Sequence, residues 1–310
     1  MRNFRPDVLW YNGRVRAARI LSDIAGRAVA AAVSVSSSLE APFISLGRSV
    51  SGTRAGVAVY RYSREALIAR IRATGRRHRT VDVLGTRILL DVTEREGHEP
   101  YFLGVPYEPA LTALVSSAPG GGTFIDIGAH TGYFTILYAL RTAGRIFAFE
   151  PNPRVRAELV ANVRLNRVED RVQVVASAVS SHEAAHTRLF LSSRGTGFSS
   201  LVPDAAPAAS ETFGDSVDVA MTTLDAWLAR TGVEPSLIKI DVEGAEHLVL
   251  AGMEHTFAER PPPRMVVETS PGSAADTRLR ALGYDAHAMD GPATEAGNFL
   301  YVHRSVAVAR

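Results

Sequence analysis

The chain has 310 residues, 46% of them hydrophobic and 21% charged, so it can bury a large core as one large or two modest domains. Its 34 basic and 32 acidic residues nearly balance at a net charge of +2, which excludes the basic surface typical of nucleic-acid-binding proteins. The absence of cysteine excludes disulfides and thiolate metal sites. Charged residues interrupt every apolar run, so neither a transmembrane segment nor a secretory signal is expected.

Residues 1–80 are predicted to form a mainly helical extension. Apolar residues at helical spacing predict one helix over 13–33, and Ser63 and Gly75 are typical of the start and end of a second helix. The second helix has several arginines on its outer face. They indicate either a solvated surface or a patch for an anionic substrate or a membrane surface.

Residues 81–310 alternate between strand and helix patterns, which indicates an α/β domain. A hairpin is predicted around Leu84, then a loop over 94–108 and a helix over 109–117. A βαβ unit follows, in which strands end at Asp126 and Glu150. Further strands are predicted at 172–176, 188–191, 236–241 and 265–268, a flexible loop at 194–200, and a closing antiparallel pair at 284–289 and 298–303.

The carboxyl ends of two parallel strands open into one crevice, so Asp126 and Glu150 are expected to face the same ligand. The dinucleotide fingerprint needs a third glycine between Gly128 and Gly132, where this chain has His130. A side chain there obstructs a pyrophosphate, which disfavours NAD and FAD. The turn instead suits S-adenosylmethionine, whose ammonium and ribose need the carboxylates at the two strand ends.

Five motifs occur in a fixed order: DIGAHTGYFT, FAFEPNP, LVANVRLN, TTLDAWL and LIKIDVEGAEHLVLAG. Together they resemble the FkbM family of S-adenosylmethionine-dependent methyltransferases, over roughly residues 81–303. The resemblance implies a class I (Rossmann-like) methyltransferase fold, with a seven-stranded, mostly parallel sheet whose last strand is antiparallel. It also implies O-methylation of hydroxyls on natural products or sugars. His130 departs from the asparagine that is common in the family.

Carried over by position, the resemblance implies a cofactor site on the glycine turn and on the strand ends that follow it. Each residue also has a plainer reading, in which it only permits a tight turn or caps a helix. The predicted cofactor-binding residues are Asp126, Gly128, His130, Gly132 and Tyr133 at the methionine end, Glu150, Pro151 and Asn152 at the ribose, Ser177 and Ala178 at the adenine, and Asp241.

Lys239 is the only lysine in the chain, and it lies in a buried strand pattern. Lys239, Asp241 and Glu243 have the spacing that places side chains on one side of an extended strand, with Ile238 and Ile240 on the other. A buried lysine must be paired or have a lowered pKa. Two hypotheses stay open. The three residues orient the acceptor hydroxyl and take its proton, or Lys239 forms a structural ion pair.

Histidine offers a second type of general base. The candidates are His130, His247 and His255. His130 is the strongest of them because its turn lies next to the cofactor, whereas His247 is expected to face solvent or to cap a helix. Glu243, Glu246 and Glu268 could join Asp241 in a magnesium site, but their spacing is not diagnostic, and a metal-free site is predicted. Loops that overhang the strand ends supply the predicted acceptor contacts, which are Tyr101, Tyr107, Glu108, Phe198 and Ser199.

The sequence therefore predicts a cytoplasmic S-adenosylmethionine-dependent O-methyltransferase that acts on a hydroxyl of a small molecule or sugar. No nucleic-acid partner is expected, and a homo-oligomer is permitted. Two alternatives stay open: a non-catalytic cofactor-binding or scaffold protein, and a nicotinamide-dependent oxidoreductase.

Overall fold

The structure is a computed structural model that describes residues 44–45, 68–117, 122–192, 195–202, 213–289 and 291–307. The helix predicted over 13–33 and the start of the second predicted helix lie outside these residues. The chain divides into two compact units, of which one includes 68–79 and 91–105 and the other includes 80–90 and the described residues from 106 onward. None of the described helices is both long enough and apolar enough to cross a membrane.

In the first unit, residues 68–74 are helical, and Gly75 follows them with a φ of +68°. Helix α1 (Arg95–Phe102) occupies a segment that was predicted to be a loop. Pro100 lies inside α1 and removes a backbone donor, which disfavours a helix. Phe102, however, is only 1% exposed, and the burial of its ring stabilises the helical conformation. The loop prediction over 94–108 was therefore wrong at α1.

The predicted hairpin is confirmed, and strands and helices alternate after it. The elements are β1 (His78–Val83), β2 (Thr86–Asp91), α2 (Pro109–Ser116), β3 (Phe124–Ile127), α3 (Tyr133–Arg141), β4 (Ile146–Phe149), α4 (Pro153–Asn166), β5 (Val172–Val175), β6 (Ser177–Val179), β7 (Ala184–Ser192), a 3₁₀ turn (Thr196–Phe198), β8 (Phe213–Thr222), α5 (Leu224–Thr231), β9 (Leu237–Ile240), α6 (Glu246–Ala251), α7 (Glu254–Glu259), β10 (Arg264–Thr269), α8 (Ala274–Ala281), β11 (Tyr284–Ala288), β12 (Gly297–His303) and α9 (Arg304–Ala307).

Seven strands of the second unit form one sheet in the order β11-β12-β10-β9-β3-β4-β5. The pairs β3–β4, β4–β5, β3–β9 and β9–β10 are parallel, whereas β12 is antiparallel to both of its neighbours. Every residue of β3, β4 and β9 is buried, as expected for parallel strands with both faces covered. The predicted seven-stranded class I methyltransferase fold is confirmed.

A second sheet has the order β6-β8-β7. The strand predicted at 188–191 is longer, and the sequence analysis missed β8 altogether. Val219 and Met221 of β8 pack with Leu189 of β7 and Ala178 of β6 in a small apolar cluster. This sheet carries the 3₁₀ turn that follows β7.

Two helices of the second unit begin at a residue whose side chain accepts a hydrogen bond from the backbone of the first turn. Asn152 Oδ1 accepts from Arg154 N at 3.1 Å, with Pro153 in the first turn of α4. Thr223 Oγ1 accepts from Ala226 N at 3.0 Å at the start of α5. The first cap fixes the chain directly after β4, where Glu150 lies.

Asn162 of α4 is completely buried and ties β2 to the glycine turn. Its side-chain amide donates to Leu89 O and to Thr131 O, both at 2.9 Å, and its Oδ1 accepts from Leu89 N at 2.7 Å. The turn between β3 and α3 is therefore stabilised by the Asn162 side chain as well as by its own backbone hydrogen bonds.

We expect Asn162→Ala to lower the free energy of unfolding by about 3 kcal/mol, because it leaves buried backbone groups without partners. Denaturant unfolding measures the difference. Asn166→Ala is the matched control, since Asn166 lies one turn later on α4, is only half-buried, and donates to Arg87 O and Asn162 O. Equal losses in the two variants would contradict a special role for Asn162.

Candidate active site

The turn after β3 requires glycine at its first position. Gly128 has a φ of +79°, and a Cβ there would lie 1.8 Å from the carbonyl oxygen of Asp241. Gly128 N donates to Phe149 O at 3.1 Å, and Asp241 N donates to Ile127 O at 3.1 Å. The glycine turn is thus in direct contact with the chain that leaves β9, and no side chain fits between them.

Glu150 lies buried at the end of β4, and both of its carboxylate oxygens point at backbone amides. Oε2 accepts from His130 N at 3.0 Å and Oε1 accepts from Asn152 N at 2.8 Å. Burial raises the pKa of Glu150 even though the charge of His130 and these amides oppose the shift. Each oxygen keeps a second lone pair, so the carboxylate can also accept hydrogen bonds from a ribose diol.

Lys239 is 3% exposed, and its ammonium lies between two carboxylates. Nζ is 3.0 Å from Asp241 Oδ2 and 3.8 Å from Asp126 Oδ1, and it lies over the Phe134 ring at 5.5 Å from the centroid. Burial alone would lower the pKa of Lys239, but the charges of Asp241, Asp126 and Glu108 together raise it. Lys239 is therefore a permanent cation.

Asp126 is completely buried at the end of β3 and has its own fixed orientation. Its Oδ2 accepts from Thr135 Oγ1 at 2.6 Å. The bond comes from a side chain in the first turn of α3, so it fixes the Asp126 carboxylate against the start of that helix.

Asp241 and Glu268 form a carboxyl–carboxylate pair at the ends of β9 and β10. The charge of Asp241, followed by burial, raises the pKa of Glu268. Burial acts to raise the pKa of Asp241 as well, but the charge of Lys239 and the hydrogen bond from Glu268 outweigh it and lower that pKa. Glu268 is thus the protonated partner and Asp241 the ionised one.

Glu243 follows Asp241 in a tight turn and is not part of an extended strand. Its φ of +52° lies in the left-handed region, which glutamate rarely adopts. Glu246 Oε1 accepts from Val242 N at 3.2 Å and from Gly244 N at 3.1 Å, so the Glu246 carboxylate stabilises this turn. Burial raises the pKa of Glu246 despite those two amides.

Asp241, Glu243 and Glu268 offer carboxylate oxygens that all lie within 4.8 Å of one another. Hard oxygen donors in this number fit a divalent cation such as Mg²⁺. Glu246, which the sequence placed in the same candidate set, instead directs an oxygen to backbone amides. A proton shared between Asp241 and Glu268 accounts for the proximity of those two groups without an ion, and the metal-free site stays the prediction.

His130 combines an uncommon backbone conformation with a defined side-chain contact. Its φ is +50°, and Nε2 lies 2.8 Å from Thr196 Oγ1. Thr196 belongs to the segment that was predicted to be a flexible loop over 194–200. It begins a 3₁₀ turn that ends at Phe198 and is followed by Ser199. His247 is exposed, and His255 lies 3.2 Å from Glu259 on an exposed helix face.

Five further predicted site residues lie in three places. Tyr107 and Tyr133 pack edge to face at 5.7 Å between ring centroids, and Tyr107 N donates to the Tyr133 hydroxyl at 3.0 Å. Ser177 and Ala178 are buried in β6, and Ser177 Oγ donates to Ala178 O at 3.1 Å. Tyr101 belongs to α1 of the first unit, where its ring packs against that of Phe102.

The structure adds roles that were not predicted from the sequence. Glu268 had been considered only as a metal ligand, although an acid at the end of a buried strand is the same signal that identified Glu150. Phe134 and Thr135 lie in the first turn of α3 and contact Lys239 and Asp126. Thr196 and Ser200 had no signal, because their partners are distant in sequence.

Comparisons with known proteins agree with this geometry. A family model described as the methyltransferase FkbM domain matches residues 126–286. The chain is similar to 31-O-demethyl-FK506 methyltransferase FkbM of Streptomyces tacrolimicus, with 32% identity over 220 residues that cover 63% of this chain and 76% of that protein.

Two solved structures are also similar. The first is methyltransferase FkbM from Methylobacillus flagellatus KT, with 15% identity, a TM-score of 0.40, and coverage of 59% of this chain and 44% of that chain. The second is precorrin-6Y C5,15-methyltransferase from Geobacter metallireducens GS-15, with 14% identity, a TM-score of 0.37, and coverage of 64% and 87%. The chain thus spans less than half the length of the Methylobacillus protein.

We expect Glu268→Gln to change how stability responds to pH. The pKa of Glu268 is raised in the folded chain, so its stabilising contribution is complete below the ordinary value of 4.5 and is lost as the pH rises towards the raised pKa. Glutamine still donates to Asp241 but cannot ionise. In alkaline buffer the variant should unfold about 2–4 °C above the wild type, the shift for about 1 kcal/mol in a domain of this size, and the difference should shrink on acidification.

The exposed Glu169 provides the control, since Glu169→Gln removes a carboxylate far from the pair. Thermal unfolding followed by circular dichroism across the pH range compares the three proteins. Parallel pH profiles for wild type and E268Q would rule out a shared proton.

Proposed function

The chain belongs to the FkbM methyltransferase family, and from the geometry of the site we propose that it transfers a methyl group from S-adenosylmethionine to a hydroxyl of a small-molecule natural product or sugar. The observation that carries this proposal is the buried Lys239 ammonium between Asp126 and Asp241, next to the glycine turn. It places a fixed cation and an ionised carboxylate where the strands that form the cofactor crevice end.

Two features of the strand ends support this cofactor. The close approach of Gly128 to Asp241 keeps a side chain out of the start of the turn, and Glu150 keeps lone pairs for a ribose diol. We assign the methionine end to Asp126, Gly128, His130, Gly132 and Tyr133, the ribose to Glu150, Pro151 and Asn152, and the adenine to Ser177 and Ala178. When bound, S-adenosylmethionine supplies an electrophilic methyl group on a sulfonium.

Lys239 and Asp241 have different proposed roles towards the acceptor hydroxyl. Lys239 remains protonated, so it orients the acceptor oxygen and stabilises the negative charge that develops on it. Asp241 is ionised, so it would accept the proton of the acceptor hydroxyl as that oxygen is methylated. Glu268 and Glu243 adjust the basicity of Asp241. Asp241 is preferred to His130 as the base because His130 Nε2 is engaged by Thr196.

The proposed acceptor class is supported by the name of a relative. The Streptomyces relative is named as a methyltransferase of 31-O-demethyl-FK506, a name that indicates methylation on oxygen and supports an alcohol acceptor here. Tyr107, Glu108, Phe198 and Ser199 are proposed to line the acceptor side, and Tyr101 stays a sequence-based candidate. The cytoplasmic location and the homo-oligomer also stay predictions from the sequence.

Calorimetry and a turnover assay test this function. We expect the wild type to bind S-adenosylmethionine and not NAD, and to release S-adenosylhomocysteine with an alcohol from a panel that includes 31-O-demethyl-FK506 and free sugars. Asp241→Asn should lower kcat about 10²–10⁴-fold while S-adenosylmethionine affinity stays within a few-fold. Near-normal turnover of D241N would remove the catalytic role. Cofactor binding without turnover on any alcohol would favour the scaffold alternative, and binding of NAD the oxidoreductase.

A chelator decides between the shared-proton and the cation-bound forms of the carboxylate cluster. We expect EDTA treatment to leave turnover of the acceptor unchanged, because a proton shared by Asp241 and Glu268 accounts for their proximity without an ion. Loss of activity on EDTA that is restored by added Mg²⁺ would instead make Asp241, Glu243 and Glu268 cation ligands.

A further inference from the structure

A short segment, residues 195–200, touches both sides of the candidate site. At one end Thr196 Oγ1 contacts His130 of the glycine turn at 2.8 Å. At the other end Ser200 Oγ donates to the carbonyl oxygen of Glu243 at 2.9 Å. Residues 195–200 therefore contact both the proposed cofactor side and the proposed acceptor side, although they do not belong to the strands that form the site.

Ser200 is well placed to act as a rigid support. It is 1% exposed, and its backbone exchanges two hydrogen bonds with Phe190 of β7, with N–O distances of 2.9 Å and 3.0 Å. Its hydroxyl also accepts from Val202 N at 3.1 Å. The small sheet thus anchors Ser200 before that residue reaches Glu243.

Glu243 needs such support for two reasons. Its left-handed backbone is unfavourable for a residue with a side chain, and its carboxylate lies within 4.8 Å of those of Asp241 and Glu268, which repel it when ionised. Glu246 fixes the amides of Val242 and Gly244 but leaves the carbonyl of Glu243 to another partner. Ser200 supplies the hydrogen bond to that carbonyl.

We propose that Ser200 is a positioning residue, which fixes the backbone at Glu243 and so keeps the Glu243 carboxylate beside Asp241 and Glu268. Its importance for turnover rests on the proposed function, because those carboxylates act on the acceptor hydroxyl. The effect on the backbone does not rest on it and can be measured without any ligand.

Amide hydrogen exchange of Val242 and Gly244 tests the inference in the ligand-free protein. Ser200→Ala should speed exchange of both amides about tenfold, because one buried hydrogen bond that holds their turn is lost. Ser180→Ala is the matched control: Ser180 is 2% exposed and also belongs to the small-sheet region, at the end of β6. Its removal should leave these two amides unchanged.

Measurements of kcat and of S-adenosylmethionine affinity then distinguish a positioning role of Ser200 from a general effect on folding. Ser200→Ala should lower kcat for the acceptor about tenfold, while S-adenosylmethionine affinity stays within about twofold of the wild type, because Ser200 does not touch the glycine turn. Ser200→Cys keeps the side chain's size and offers a weaker donor, so it guards against a folding defect in the alanine variant and should give intermediate exchange rates.

The outcomes are distinct for the two proposals. Exchange rates in S200A that match those in S180A overturn the role of Ser200, whatever the activity. Failure of the wild type to bind S-adenosylmethionine overturns the proposed function but leaves the exchange result to decide on Ser200.

Discussion

The site depends on the burial of one ammonium group. A charged amine inside a parallel sheet is stable only when carboxylates surround it, and Lys239 has them because of strand register. Asp126 of β3 pairs directly with Lys239 of β9. A shift of one residue would turn Lys239 away from Asp126 and towards the apolar side that Ile238 and Ile240 occupy. Register, fixed by the fully buried strands, thus determines the electrostatics of the site.

The carboxylates at the strand ends differ because each has different immediate neighbours. Asp241 lies next to the ammonium and is ionised, whereas Glu268 lies next to the charge of Asp241 and holds a proton. Glu150 accepts from backbone amides, and burial is the largest influence on its pKa. Acids of the same kind therefore have different pKa values according to their burial and to the charge nearest to each of them.

Much of this arrangement could be predicted from local sequence. Strand ends followed by acids, the glycine turn and the Asn-Pro start of α4 are signals that involve neighbours in the chain, and the structure has them where expected. The alternation of Val217, Val219 and Met221 was also available and would have identified β8. Helix α1 was missed because a proline argued against it, while the burial that stabilises it depends on tertiary packing. Thr196 and Ser200 could not be found, because a hydroxyl that bonds a residue forty or more positions away leaves no pattern.

A single buried lysine also makes the protein convenient to observe. Because Lys239 is the only lysine in the chain, growth with isotope-labelled lysine would give one side-chain ammonium resonance from the centre of the site. Protection from solvent slows proton exchange at that group, which is the condition that makes such a signal visible. The protein thus contains its own spectroscopic reporter, placed at the point where the ligands are proposed to meet, and no residue needs to be replaced to use it.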